Sequence, residues 1–147
     1  VSEFVEVLLP IHPRTRKKIS GLDDFKFNDR QLVFDGNALE GIRIVEPVSY
    51  LEMQGLESGA KAIITDSGGV QKEAYFHGVP CITLREETEW VETIEGGWNI
   101  LVGHDAEKIV NAFCGLGSLI ERDSLVYGDG YAARKILSEM VDFCESL

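Results

Sequence analysis

The 147 residues amount to one domain's worth of chain, enough to bury a single core. With 44% hydrophobic and 27% charged residues the composition is globular and soluble rather than disordered, and no apolar run approaches the ~20 residues that cross a bilayer. A net charge of −11 argues against DNA or RNA as a bulk partner, because backbone binding needs a basic surface, yet leaves room for one small phosphorylated ligand at a locally positive site. The start on Val1-Ser2-Glu3, without Met or signal peptide, suggests a terminus that is not the gene's own, so a fragment is expected. Cys81, Cys114 and Cys144 form no CxxC pair and read as reduced, mostly buried thiols of a cytosolic protein, with no metal expected.

In chain order, Val5 to Ile11 is a short apolar run that suits a buried strand, with Pro10 near its end. His12-Pro13-Arg14-Thr15 follows, and the basic stretch from Arg14 to Ser20 stops at Gly21 as a short helix would. Residues 22–40 read as polar and irregular, with turn signals at Asn28-Asp29 and Asp35-Gly36-Asn37. Ile42 to Val45 is the next strand. Ser49 suits a helix N-cap with Glu52 at the reciprocal capping position, ahead of a helix from Tyr50 to Leu56. Lys61 to Thr65 is a strand and Gly69 to His77 a helix. Gly78-Val79-Pro80 turns the chain into a strand from Cys81 to Leu84. A charged loop, Arg85 to Thr93, leads on to a strand from Trp98 to Val102. Asp105 caps a helix to about Cys114, and Gly128-Asp129-Gly130 turns into an amphipathic helix from Tyr131 to about Cys144.

Strands that alternate with helices, and that are unbroken apolar runs, imply a Rossmann-like α/β fold: a parallel sheet with helices on both faces. Ligands bind such sheets at the carboxyl ends of the strands. The loops after Ile11, Thr65 and Leu84 are therefore the places to look.

At Thr65-Asp66-Ser67-Gly68-Gly69 a strand runs into a helix with Ser67 at the N-cap position. Backbone N–H groups and the positive end of the helix dipole point out of the sheet there, and two glycines remove side chains where an anion would approach. A tight turn capped by Ser67 would also account for these residues. Glu73, four residues after Gly69, faces the same side one turn deeper, about 5.4 Å along the axis. A carboxylate so placed suits a neutral diol such as a ribose better than a phosphate. His12, held extended before Pro13, could bond a phosphate or move a proton near neutral pH. Arg14 and Arg85 are candidate anion contacts, although acids beside Arg85 could simply pair with it. Gln71 and Lys72 read as solvent-facing. No GxGxxG, P-loop, Ser-His-Asp or metal-ligand pattern is present, so no cofactor is expected.

"HPRT" at His12, "PVSYLEM" at Pro47, "TDSGGVQKEAYFHGVPCITLREETEWVETIEGGWNILVG" from Thr65 to Gly103 and "YGDGYAARKI" from Tyr127 resemble the non-hydrolysing UDP-N-acetylglucosamine 2-epimerases. The resemblance covers nearly the whole chain, residues 22–40 apart. It implies the C-terminal domain of a glycosyltransferase-B-like two-domain fold, a single nucleotide-binding domain over 1–147. The first strand-helix unit, with an "HRxEN" segment, and the N-terminal domain would lie upstream. By the same resemblance Ser67, Gly68 and Gly69 would hold the diphosphate, Glu73 would accept from the ribose hydroxyls, and His12 would contribute to catalysis. Some members carry a ligand-contacting arginine where this chain has Trp90, which would leave that role to Arg85 or Arg14, or leave the contact absent. The implied chemistry is elimination of UDP to a 2-acetamidoglucal and re-addition with opposite configuration at C2, interconverting UDP-GlcNAc and UDP-ManNAc. A cytoplasmic homodimer serving cell-envelope polysaccharide synthesis, with a UDP-sugar as its ligand, would follow. A glycosyltransferase of the same fold and a stand-alone UDP-binding module are the alternatives.

Overall fold

The computed structural model describes residues 1–3, 5–28, 31–34, 37–116 and 127–146. Its first parallel pair is β1 (Val7–Pro10) beside β5 (Ile42–Val45), joined from Val7↔Ile42 to Pro10↔Val45. Pro10 lacks a backbone N–H and falls on the last residue of β1, where a ladder loses least. Helix α1 (Pro13–Ser20) follows with Pro13 in its first turn, where a missing N–H costs nothing.

The expectation of an irregular stretch over residues 22–40 does not hold. An antiparallel meander of β2 (Phe25–Asn28), β3 (Gln31–Phe34) and β4 (Asn37–Ala38) occupies it. Phe25 and Phe27 alternate with Lys26, so one face of a short strand can turn inward and pack with Leu32, Ile11 and Ile44. Most of the residues of the two expected turns lie outside those described.

The second parallel ladder orders β6 (Ile63–Thr65), β7 (Cys81–Thr83) and β8 (Asn99–Leu101) side by side. Helix α2 (Tyr50–Ser58) leads into it, and α3 (Gly68–Phe76) and α4 (Val91–Glu95) connect its strands. The charged loop after Leu84 thus ends in a short helix. Helices α5 (Ala106–Gly115) and α6 (Ala132–Glu145) complete the chain.

Local chemistry sets these boundaries. Ser49 and Glu52 form the reciprocal capping box: the Glu52 carboxylate accepts the Ser49 N–H at 2.8 Å and the Ser49 hydroxyl accepts the Glu52 N–H at 3.4 Å. Asp105 accepts from Glu107 N–H at 2.9 Å and Lys108 N–H at 3.1 Å. Helix α3 stops in a Schellman motif. Gly78 N–H donates to Tyr75 C=O and Val79 N–H to Ala74 C=O, with Gly78 at φ +68°, which a glycine reaches without strain. Val79 and Ala74 then meet in the core with Ile63 and Cys81.

A parallel α/β fold is therefore what the chain adopts, but its parallel ladders form two sets. The side of β1 away from β5 and the side of β6 away from β7 flank a cavity of about 980 Å³, whose lining includes His12, Thr15, Met53, Glu57, Asp66 and Val70. Of the cysteines, all free, only Cys81 is buried. Cys114 and Cys144 are exposed, Cys114 on α5 beside the buried Phe113 and Cys144 on α6, which has no buried residue, and this corrects the reading of mostly buried thiols.

Candidate functional site

The junction between β6 and α3 is built by Thr65. Its Oγ1 accepts the Ser67 N–H at 3.0 Å and bends the chain out of the strand. Ser67 takes the extended N-cap conformation, φ −81° and ψ 125°, yet its side chain accepts no hydrogen bond from the helix. The first-turn N–H groups of α3 therefore face outward without a side-chain cap, at the positive end of the dipole. The alternative of a turn closed by the Ser67 hydroxyl is not the observed arrangement.

Neither Gly68 nor Gly69 has a positive φ. A β-carbon at Gly69 would lie no closer than 3.9 Å to any neighbour, the Ser67 hydroxyl. One at Gly68 would lie 3.4 Å from Trp90 Nε1 and 3.5 Å from Glu89 Oε2, at the near edge of ordinary contact. Folding alone does not demand a glycine at either position. Glu73 is half-buried one turn further along α3.

His12 is the N-cap of α1, and its Nδ1 accepts the Arg14 N–H at 3.2 Å. That bond commits Nδ1 as an acceptor and leaves Nε2 as the donor of a neutral ring. Of the seven candidate residues, His12 alone lines the cavity between β1 and β6. Arg14 is exposed on the first turn of α1. Arg85 is already engaged: its guanidinium holds both Glu89 carboxylate oxygens at 3.2 Å. The Glu89 backbone N–H and that guanidinium keep the Glu89 carboxyl below its ordinary range.

Two residues read as solvent-facing are not. Gln71 is 1% exposed, and its Oε1 accepts from the Thr88 hydroxyl at 2.6 Å and from Asn99 Nδ2 at 3.0 Å. Asn99 in turn accepts from the Thr83 hydroxyl at 2.6 Å and donates to Thr93 Oγ1 at 3.3 Å. The Thr88 hydroxyl accepts the Trp90 N–H, and Thr93 donates to the Trp90 carbonyl. This buried polar web ties α3, β7, β8 and α4 to the turn that carries Glu89 and Trp90 over Gly68. Lys72 Nζ sits 4.3 Å from the Trp90 ring centroid and 4.6 Å from that of Tyr127, a cation between two aromatic faces. The web left one trace in the sequence: Thr83 and Asn99 are polar residues inside strands that are otherwise apolar.

Glu57, on α2, was not singled out from the sequence. It is 2% exposed, and burial, with the charge of Glu73 second, pushes its carboxyl up to about 7. Among the described residues no group of three His, Cys, Asp or Glu side chains could hold a metal ion, and no helix is long and apolar enough to cross a membrane.

A parallel α/β domain with an open helix N-terminus at a strand's carboxyl end and an acid one turn beyond defines a class of phosphate- and nucleotide-binding folds. The family model described as UDP-N-acetylglucosamine 2-epimerase matches residues 1–141. The chain belongs to the UDP-N-acetylglucosamine 2-epimerase family. It is 43% identical over 141 residues to a UDP-N-acetylglucosamine 2-epimerase homolog of Methanococcus maripaludis, covering 93% of this chain and 37% of that one. It is 44% identical over 131 residues to the UDP-2,3-diacetamido-2,3-dideoxy-D-glucuronate 2-epimerase of Pseudomonas aeruginosa, covering 88% and 33%. The structure of UDP-GlcNAc 2-epimerase from Methanocaldococcus jannaschii superposes with a TM-score of 0.70 at 39% identity, over 91% of this chain and 35% of that one. A second structure of that enzyme, in complex with UDP-GlcNAc and UDP, gives a TM-score of 0.65 at 38% identity over the same shares. The fold is thus the glycosyltransferase-B-like one expected. The chain spans about a third of the length of the curated relatives it matches.

Proposed function

We propose that the protein containing this chain interconverts UDP-GlcNAc and UDP-ManNAc by eliminating and re-adding UDP, and that this chain holds the UDP. The observation that carries the reading is the pair Gly68-Gly69, glycines that the fold does not need, at an α3 N-terminus that Ser67 leaves uncapped. A diphosphate seated there would meet backbone N–H donors, and the same donors would stabilise the charge that develops as it leaves. Ser67, Gly68 and Gly69 take the diphosphate and Glu73 the ribose hydroxyls. His12 donates through Nε2 from the end of β1. Arg85 reaches an anion only by giving up Glu89, and Arg14 is free to approach from α1.

The groups that remove and return the C2 proton are assigned to polypeptide outside these residues, together with a strand-helix unit and an N-terminal domain. The open edges of β1 and β6 along one cavity, and relatives about three times as long, support that assignment. The same reading makes the protein a cytoplasmic homodimer that supplies a sugar nucleotide for cell-envelope polysaccharide, and free thiols suit a reducing compartment. The test is to incubate the full-length gene product with UDP-GlcNAc and no acceptor. UDP-ManNAc should accumulate to an equilibrium mixture. An absolute need for an acceptor would sink the epimerase reading in favour of glycosyl transfer. Conversion of a UDP-diacetamido-uronic acid alone would move it to the substrate of the Pseudomonas relative.

A further inference from the structure

The turn that follows β7 brings an ion pair of its own to the mouth of α3. Arg85 Nη1 reaches both carboxylate oxygens of Glu89 at 3.2 Å, and Nη2 reaches Oε1 at 3.2 Å. The two side chains are 33% and 59% exposed, so their attraction adds little to stability, and what matters is where the pair stands. Glu89 Oε2 lies 3.5 Å from the β-carbon position of Gly68, the first residue of α3. Cα–Cβ bonds in a helix tilt toward its N-terminus, so the carboxylate stands beside the opening where the first-turn N–H groups emerge. The turn is held there by α3 itself. The Thr88 hydroxyl donates to the buried Gln71 Oε1 at 2.6 Å and accepts the Trp90 N–H at 3.2 Å. The first turn of α3 has no acidic residue, and Ser67 gives it no side-chain cap. Glu89 therefore brings, from another element, the negative charge that a helix N-terminus favours. Trp90 Nε1 lies 3.4 Å from the same Gly68 position, buried and without a hydrogen-bond partner among the described residues. An unpaired donor at that spot calls for an acceptor.

We propose that Glu89 holds the diphosphate's place: without nucleotide its carboxylate stands at the mouth of α3 and occupies Arg85, and an entering diphosphate displaces it, so that Arg85 exchanges a carboxylate partner for a phosphate. The inference rests on the assignment of the diphosphate to Ser67, Gly68 and Gly69. A guanidinium fork bonds either group in the same bidentate way, so the exchange keeps Arg85 paired. Two anions repel each other in one seat, so the carboxylate has to turn toward solvent, and its 59% exposure leaves it room. Glu89 thus works against binding while Arg85 works for it. Substituting one should have the opposite effect to substituting the other.

Calorimetry on the full-length protein, with UDP and inorganic pyrophosphate as probes, tests this. Glu89→Gln keeps the size of the side chain and removes its charge. It should tighten UDP about two- to fivefold, the order of an exposed ion pair, and pyrophosphate at least as much. The gain should fade as salt is raised to about 1 M, because exposed charges are then screened. Arg85→Met should weaken both probes. Unchanged or weaker binding in Glu89→Gln overturns the proposal, and the weaker result would make Glu89 a residue that positions Arg85 for the ligand. A gain that persists undiminished at high salt also overturns it, since a change in packing and not in charge would then be at work. So does a loss confined to UDP in Arg85→Met. If neither Arg85→Met nor Gly69→Ala changes the binding of either probe, the diphosphate assignment itself fails, and that result is distinct from a failure of Glu89 alone.

Discussion

Gly69 illustrates how a single residue separates folding from function. A β-carbon there has room, φ is not positive, and the residue lies in the first turn of α3, where alanine is the better helix former. Gly69→Ala should therefore leave thermal stability unchanged or raise it by up to about 1 kcal/mol. If the diphosphate sits as proposed, the same methyl would stand in its approach to the backbone, and calorimetry should show UDP affinity falling at least about tenfold, the order of losing a charge-assisted hydrogen bond. Retained affinity would mean that the glycine serves something else. His12 makes a related point. Its Nδ1 is occupied by the Arg14 N–H, so the residue that the sequence offers as a phosphate contact or proton carrier is also a helix cap. Which nitrogen is free was a matter of α1's entry geometry.

Among the elements, the turn from Arg85 to Trp90 has no helix or strand of its own until α4 begins at Val91. Its position depends on the web of Gln71, Thr83, Thr88, Thr93 and Asn99, all at least largely buried. Asn99→Leu would fill the volume but strand the Thr83 hydroxyl and remove one donor from Gln71. Stability should fall by about 2 kcal/mol, the usual cost of a buried unsatisfied group. The Trp90 fluorescence, read in a Trp98→Phe background, should shift as its turn loosens. An unchanged emission alongside the stability loss would show that the web stabilises the core without steering the turn. Helix α3 is in this sense anchored at both ends, by the web near Gln71 and by the Schellman motif at Gly78.

For the whole molecule, the relevant fact is how much apolar surface remains open. Along α6, Ile136, Leu137, Met140 and Phe143 are each at least 60% exposed, and among the described residues no strand pairs with β1 or β6 on the cavity side. Exposed apolar stripes of this kind mark surfaces that other polypeptide covers. We expect the isolated 147-residue chain to show no epimerisation in the acceptor-free assay, and the gene product with its upstream sequence to show it. Turnover by the isolated chain would contradict the assignment of the C2 chemistry to other residues.

Much of this was legible in the order of residues. Apolar runs separated by capped helices announce a parallel α/β fold, since a strand buried on both faces has no polar alternation, and Ser49-Glu52, Asp105 and Gly78 act through backbone bonds within a few residues. The run Thr65 to Gly103 carried the family for the same reason: its spacing is local. The meander at residues 25–38 was not legible, because its strands are short and become recognisable only when Leu32 packs on Ile11 and Ile44. Nor were the roles of Gln71, Lys72 and Glu57. Each looks like an ordinary polar helix residue until β7, β8 and Trp90, or the facing helix, close over it. Local hydrogen bonds and side-chain periodicity are written in sequence order, whereas burial of a polar group is decided by partners tens of residues away, and only the assembled tertiary structure brings them there.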